Sequence, residues 1–338
     1  MKYLLIISLL AVFFLFSFCG NCQKVSGQKP IKFDRLFDLN INGCKQKVHI
    51  QSNDINNPIL LYLHGGPGSS FMLYSYMYSS KLVQNYTFVN WDNRGTALSY
   101  YDGMDTNKIS EIQIRDDAVV LIKYLLKKFH KRKIYLLGHS FGSVIGLQLV
   151  ANNPEFIKAY IGMGQVINWD KSVELTYTWL QDTLRKSNDT AGLKRIEADR
   201  FPYIDLVVKY GGHHRLSLNL DSIIKNSPLY FDGYLDLLKK GKEFSQYYVA
   251  KNQNNKTANN KTANNKSVNN IEVPLYFFEG IHDHVIACAP ELVVDYCNKV
   301  TAPKKEIIWF KNAAHYISVE EPDKFQDELI RIAHENEN

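Results

Sequence analysis

A serine with a glycine two residues to either side, Gly138-His139-Ser140-Phe141-Gly142, stands between an apolar run, Lys133 to Leu137, and a helical pattern, Val144 to Val150. A strand that turns sharply into a helix at such a serine exposes the hydroxyl on a strained backbone, and the small flanking residues let strand and helix approach. A hydroxyl is a weak nucleophile until a base takes its proton, so an acid and then a histidine should follow in the chain. Asp283 lies in Glu279-Gly280-Ile281-His282-Asp283-His284, behind the run Leu275 to Phe278. His315 closes Lys311-Asn312-Ala313-Ala314-His315, behind Glu306 to Phe310. Both follow the carboxyl ends of predicted strands, where open α/β sheets gather their sites. The pattern predicts Ser140 as nucleophile, His315 as base and then acid, and Asp283 as the group that holds the imidazole and stabilises its cation.

Glycines supply the complementary element. His64-Gly65-Gly66-Pro67-Gly68 follows the apolar run Ile59 to Leu63, and a glycine turn there lets backbone N–H groups face a cavity. The N–H of Gly66 with that of Phe141 is expected to form an oxyanion hole for a tetrahedral intermediate. Alternatives stand beside these assignments. Glu279, His282 and His284 flank Asp283 and could instead form a surface polar or metal-binding cluster. His315 could be a solvated loop histidine, although His130, His139, His213 and His214 follow no late strand.

Such side chains need a scaffold. Phe33 to Leu39 and Gln46 to Gln51 flank Asn42-Gly43 and predict an opening hairpin. Ile59 to Leu63, Thr87 to Trp91, Lys133 to Leu137 and Ala159 to Met163 are short apolar runs that alternate with helical patterns at Ile109 to Phe129 and Phe141 to Ala151. That alternation predicts an α/β fold with a mostly parallel central sheet covered by helices on both faces. From Gln165 to Tyr248 the pattern is helical, which predicts an inserted cap; strand and helix patterns then resume at Leu275 to Phe278, Glu291 to Asn298, Glu306 to Phe310 and Glu321 to His334. The implied organisation is a leader or anchor over 1–22, core over 30–164, cap over 165–250, a low-complexity Asn/Lys linker over 251–270 and core again over 271–336.

With 338 residues, 45% of them hydrophobic, the chain can bury a sizeable core. Its net charge of +6 is matched by Lys239 to Asn270 alone, where seven lysines meet one glutamate. The balanced remainder argues against a nucleic-acid face or a membrane-binding face on the body. Residues 3–16 form an apolar run behind Lys2, which reads as an export leader, with an uncleaved membrane anchor as the alternative. The protein is accordingly expected outside the cytoplasm: secreted, periplasmic or at the cell surface. Phe18 before Cys19 disfavours lipidation. Cys288 and Cys297 fall in or beside one predicted helix, about 13 Å apart along its axis, and are expected not to pair. Glycosylation-type sequons at Asn85, Asn188, Asn255, Asn260 and Asn265 matter only where the host glycosylates exported proteins.

Together these motifs resemble the α/β-hydrolase superfamily, and within it the proline iminopeptidase branch of serine aminopeptidases, over about Pro58 to Glu335. His64-Gly65-Gly66-Pro67-Gly68 matches that branch's oxyanion loop, and Trp91-Asp92-Asn93-Arg94-Gly95-Thr96-Ala97-Leu98-Ser99 resembles its D-Q-R-G-x-G-x-S segment. Asn93 and Ala97 depart from that pattern, and His139 and Phe141 replace its usual Gly and Trp; G-H-S-x-G is equally at home in esterases and lipases. The resemblance implies an α/β-hydrolase fold, the triad Ser140, Asp283 and His315, and release of an N-terminal residue such as proline from short peptides through an acyl-enzyme. It also implies acidic cap residues that bind the substrate's amino terminus. Asp170 and Glu174 are the candidates, unless they merely solvate a helix face, and Gly65 is a further candidate substrate contact. Tyr74, Tyr76 and Tyr78, with Met72, Leu73 and Met77, line the pocket rim or pack in the core. Nucleophile, base and oxyanion donors all come from protein, so no cofactor or metal is required. Two other readings stand: a carboxylesterase or lipase-like enzyme of small esters, and a non-enzymatic binding protein on the same fold.

Overall fold

The computed structural model describes residues 30–215, 218–254 and 268–337; the N-terminal apolar run and the sequons at Asn255, Asn260 and Asn265 lie outside them. β1 (Phe33–Ile41) and β2 (Cys44–Ser52) form the opening hairpin. Its turn, Asn42-Gly43, holds both residues at positive φ, 48° and 74°, the backbone that two-residue hairpins demand and that this dipeptide tolerates. β3 (Ile59–Leu63), β4 (Thr87–Asp92), β5 (Ile134–His139), β6 (Ile157–Met163), β7 (Leu275–Gly280) and β8 (Lys305–Phe310) complete an eight-stranded sheet in the order β1-β2-β4-β3-β5-β6-β7-β8. The pairs β1/β2 and β2/β4 are antiparallel; every later pair is parallel.

Helices α1 (Leu82–Asn85), α2 (Glu111–Lys128) and α3 (Phe141–Asn152) connect the first strands. α2 starts two residues later than its apolar pattern because Ser110 takes the cap position, its hydroxyl accepting from the Gln113 N–H. Among the described residues, five helices then run between β6 and β7: α4 (Trp169–Lys186), α5 (Thr190–Asp199), α6 (Ile204–Lys209), α7 (Leu220–Lys225) and α8 (Tyr234–Asn254). α9 (Pro290–Lys299), α10 (Ile317–Glu320) and α11 (Pro322–Glu337) follow. Among the described residues no helix is long and apolar enough to cross a membrane.

Period-two alternation divides the sheet's side chains between two cores. Leu61, Leu63, Val89 and Leu136 meet α2, α3 and α9 through Ile114, Leu121, Ile145 and Val293. Leu60, Tyr62, Phe88 and Tyr135 meet α11 through Phe325, Leu329 and Ile332. Because both faces are covered, β3, β4, β5 and β7 are buried along their whole length, which is why their sequences read as continuous apolar runs. The inserted helices have a small core of their own: Leu180, Leu184, Ile196, Leu206 and Val207.

The segment after β4 is braced by polar contacts. Arg94 donates to both Asp117 oxygens at 2.5 and 2.8 Å, and Asn42 and Gln46 donate to the same carboxylate at 2.8 and 2.6 Å. Trp91 donates to Gln46 at 3.0 Å. The motif Trp91 to Ser99 thus ties the hairpin, β4 and α2 together. Buried ions are tolerated only when each is fully partnered, as these are.

Candidate active site

β5 ends at His139, Ser140 adopts φ 53°, ψ −121°, and α3 begins at Phe141. That backbone is strained for a side-chain-bearing residue, and the surroundings hold it. The Ser140 N–H donates to Met163 O at 3.0 Å, while Ser140 O accepts from the N–H and hydroxyl of Ser143 at 2.8 and 2.6 Å. Gly142 is required because a Cβ there would stand 2.1 Å from Leu63 O, the end of β3. The Ser140 hydroxyl makes no capping bond to α3, so it is not consumed by the helix. The first N–H groups of a helix lack intrahelical partners, which leaves Phe141 as a suitable donor.

The glycine loop lies directly over this serine. A Cβ built on Gly65 would be 2.9 Å from Ser140 Cβ and 3.5 Å from its Oγ. Gly66 follows in a turn closed by Ser69 N–H donating to Gly65 O at 3.2 Å. His64 pins the loop at its base. Its Nδ1–H donates to Gly65 O at 2.8 Å and its Nε2 accepts from Asn93 N–H at 3.5 Å. Burial lowers His64 to about 4, which keeps the ring neutral for that pair of bonds.

Parallel pairing of β7 with β8 brings the loops after them together. His315 Nδ1 donates to Asp283 Oδ2 at 2.7 Å, and Asp283 Oδ1 accepts from Val285 N–H at 3.0 Å. Asp283 is 0% exposed, His315 4% and Ser140 8%. The bond at Nδ1 leaves His315 Nε2 as the basic nitrogen. His139, the variable residue of the elbow, donates from Nε2 to His315 O at 3.0 Å, accepts at Nδ1 from Tyr62 OH at 3.3 Å, and faces the His315 ring at 4.7 Å. Burial and the neighbouring His315 hold His139 well below the usual imidazole range.

The inserted helices reach this centre. His315 N–H donates to His213 O at 3.0 Å, and His284 N–H donates to Gly212 O at 2.8 Å. Trp179 of α4 stacks on His284 at 4.1 Å. Glu320 accepts from Arg215 N–H and from Ala314 N–H, the latter at 2.9 Å. His213 is lowered to about 3, by burial first and then by His315, His214 and Lys242.

Of the residues singled out by sequence, His315 and Asp283 are joined by a hydrogen bond and Gly65 lies against Ser140, with Gly66 and Phe141 next to those two in the chain. Asp170 and Glu174 lie exposed on α4. Tyr74, Tyr78, Met72 and Leu73 are buried, whereas Tyr76 is exposed and donates to Ile223 O at 3.0 Å. Glu279, His282 and His284 form no common surface cluster. Glu279 is wholly buried, accepting from Gln165 N–H at 3.1 Å through one oxygen while Oε2 has no partner. Desolvation, then the charge of Asp283, raises Glu279 well above the carboxylate range. A glutamate in the otherwise apolar run Leu275 to Gly280 was the available signal for this. The position of Cys288, whose thiol donates to Gly164 O at 3.1 Å and lies near the Ser140 hydroxyl, had no such signal.

Residues 58–322 match the sequence pattern of the alpha/beta hydrolase fold family, and the chain belongs to that family. It is 29% identical over 310 residues to the probable aminopeptidase YbaC of Bacillus subtilis (strain 168), covering 88% of this chain and 95% of that protein. The crystal structure of proline iminopeptidase from Mycobacterium smegmatis superposes with a TM-score of 0.66 at 15% identity, over 89% of this chain and 98% of that one. Haloalkane dehalogenase DbeA of Bradyrhizobium elkani USDA94 gives 0.60 at 12% identity, over 90% and 99%. The protein is therefore a hydrolase of the α/β fold, and the fold by itself does not select among these reactions.

Proposed function

We propose that the protein is a serine aminopeptidase that releases an N-terminal residue such as proline from short peptides through an acyl-enzyme. The observation that carries this reading is the 2.7 Å bond from His315 to a buried Asp283 beside a serine held on a strained strand-to-helix turn. The similarity to a probable aminopeptidase over nearly the whole of both chains supports the substrate class.

In this reading Ser140 Oγ attacks the carbonyl carbon of the first residue as His315 Nε2 takes its proton. Asp283 keeps the imidazole oriented and stabilises the imidazolium. The carbonyl oxygen, now negative, is met by the N–H groups of Gly66 and Phe141. His315 then protonates the departing amine, and water, activated by the same nitrogen, releases the acyl group. Replacing Ser140 with Ala tests the reading: hydrolysis of proline p-nitroanilide should fall by at least about a thousandfold, whereas retained activity removes Ser140 from the mechanism.

A second reading is favoured by one feature. Asp170 and Glu174, the acids proposed for the substrate's amino group, are exposed on α4, while His213 is the side chain that the inserted helices set against His315. A site of that kind suits a neutral acyl group, as in a carboxylesterase. Turnover of short p-nitrophenyl esters with none of aminoacyl anilides would decide for the esterase.

A further inference from the structure

Three kinds of metal donor meet beside the candidate nucleophile. The Cys288 thiol, the Asp283 carboxylate and the His315 imidazole each offer one atom, and these atoms lie within 4.8 Å of one another. All three residues are buried. Cys288 sits in the loop between β7 and α9, packed against Val144 and Val166, and acyl transfer as described above gives it no task.

Thiolate, imidazole and carboxylate together are the donor set of zinc and its heavier congener cadmium. Zinc bonds of about 2.0–2.3 Å imply donor separations of roughly 3.3–3.8 Å. The 2.7 Å contact between His315 and Asp283 would widen to that value, and the longest separations would contract by about 1 Å.

We propose that Asp283, Cys288 and His315 form an inhibitory site for one thiophilic divalent cation, Zn²⁺ or Cd²⁺. On binding, the thiol proton is released to solvent, and bonds form from Sγ, Nδ1 and a carboxylate oxygen to the metal. The hydrogen bond between His315 and Asp283 is lost. The His315 proton moves from Nδ1 to Nε2, so the nitrogen that the triad reading makes the base can no longer accept a proton. The site shifts from a net charge of −1 to neutral. That the cation inhibits rests on the triad reading; that it binds does not.

The test uses the full chain, stripped of metal with a chelator that is then removed. Titrating Cd²⁺ should produce a thiolate-to-cadmium charge-transfer band in the ultraviolet that saturates at one equivalent and is competed away by Zn²⁺. The same ion should slow fluorophosphonate labelling of Ser140 at least tenfold. Cys288→Ala should lack the band and label at one rate with or without the ion. No band in the unaltered protein, a band that persists in Cys288→Ala, or equal slowing of both proteins would overturn the site. The cadmium band is read without any variant, so a misfolded Cys288→Ala does not shelter the proposal. Failure of the aminopeptidase reading would show separately, as absent anilide turnover by metal-free protein that still gives the band.

Discussion

The N–H of His315 is hydrogen-bonded at 3.0 Å to the carbonyl oxygen of His213, a residue of the inserted helical segment. The loop that holds the candidate base is therefore shared between the sheet and the insertion. Glu320 extends the link, accepting N–H groups from Arg215 on one side and Ala314 on the other.

Replacing Glu320 with Ala should leave those two amides without their partner. Only the Ala314 amide is fully buried; a buried donor left unpaired costs about 1–3 kcal/mol, so chemical denaturation should show a loss of about 1–3 kcal/mol. At temperatures where the variant stays folded, kcat should still fall by at least about tenfold, because the His315 loop is no longer fixed. A variant that loses stability but keeps full kcat would make Glu320 structural only.

Gly65→Ala places a methyl 2.9 Å from Ser140 Cβ. Either the loop or the serine must shift, and a displaced oxyanion donor typically costs about 10²–10³ in kcat. Little change in the melting temperature is expected, since the clash is local. Steady-state kinetics together with thermal melting separate the two effects.

Asp117→Ala should be among the most damaging changes away from the site. It strands the Arg94 guanidinium, 2% exposed on its side chain, without a carboxylate, and an uncompensated buried charge costs about 3–5 kcal/mol. Urea unfolding of the variant measures this directly; a loss under about 1 kcal/mol would mean that water or another group replaces the carboxylate.

Stability should peak near pH 6.5 and decline on both sides. His64, lowered to about 4, and His213, lowered to about 3, take up protons in the unfolded chain before the native one, so stability is lost as pH falls below 6.5. His139 acts in the same direction. Asp92, raised to about 7 chiefly by burial, and Glu279, raised well above its ordinary value, act oppositely: the unfolded chain sheds their protons first, and stability falls as pH rises towards their folded values. Below pH 6.5 these histidines, with His49, His282 and His284 lowered in the same sense, outweigh the two carboxyls; above it Asp92 acts only up to about pH 7 and Glu279 beyond, each at about 1.4 kcal/mol per pH unit. Glu279→Gln keeps the acceptor for Gln165 N–H and should flatten the alkaline limb. Denaturation midpoints across pH read this out, and an unchanged alkaline slope in the variant would show that Glu279 is ionised in the fold.

Much of this architecture was legible because its causes are local. Asn42-Gly43 sets the hairpin by itself, and the glycines around Ser140 record how closely β3 approaches α3. Asp283 and His315 could be placed because each follows a strand whose apolar run is unmistakable. What could not be read are contacts made by packing between distant segments. Nothing near Cys288 in sequence places it against Gly164, and nothing in Gly211-Gly212-His213-His214 indicates that its carbonyls would receive the N–H groups of His284 and His315. The expectation for Asp170 and Glu174 rested on resemblance alone, with no local signal to fix which way α4 would turn them.

The hydrogen bonds from His284 and His315 to the segment Gly212–His213 also bear on how the protein comes to be active. A nascent chain has made β1 to β6 and the elbow at Ser140 before the insertion is complete, and the strands that carry Asp283 and His315 are made last. Since those two loops bond to the inserted segment as well as to each other, docking of the insertion completes the seating of the acid–base pair. An excised core of eight strands would keep the bond between His315 and Asp283 yet leave the N–H groups of His284 and His315 without their acceptors, so trimming the insertion away would loosen the acid–base pair.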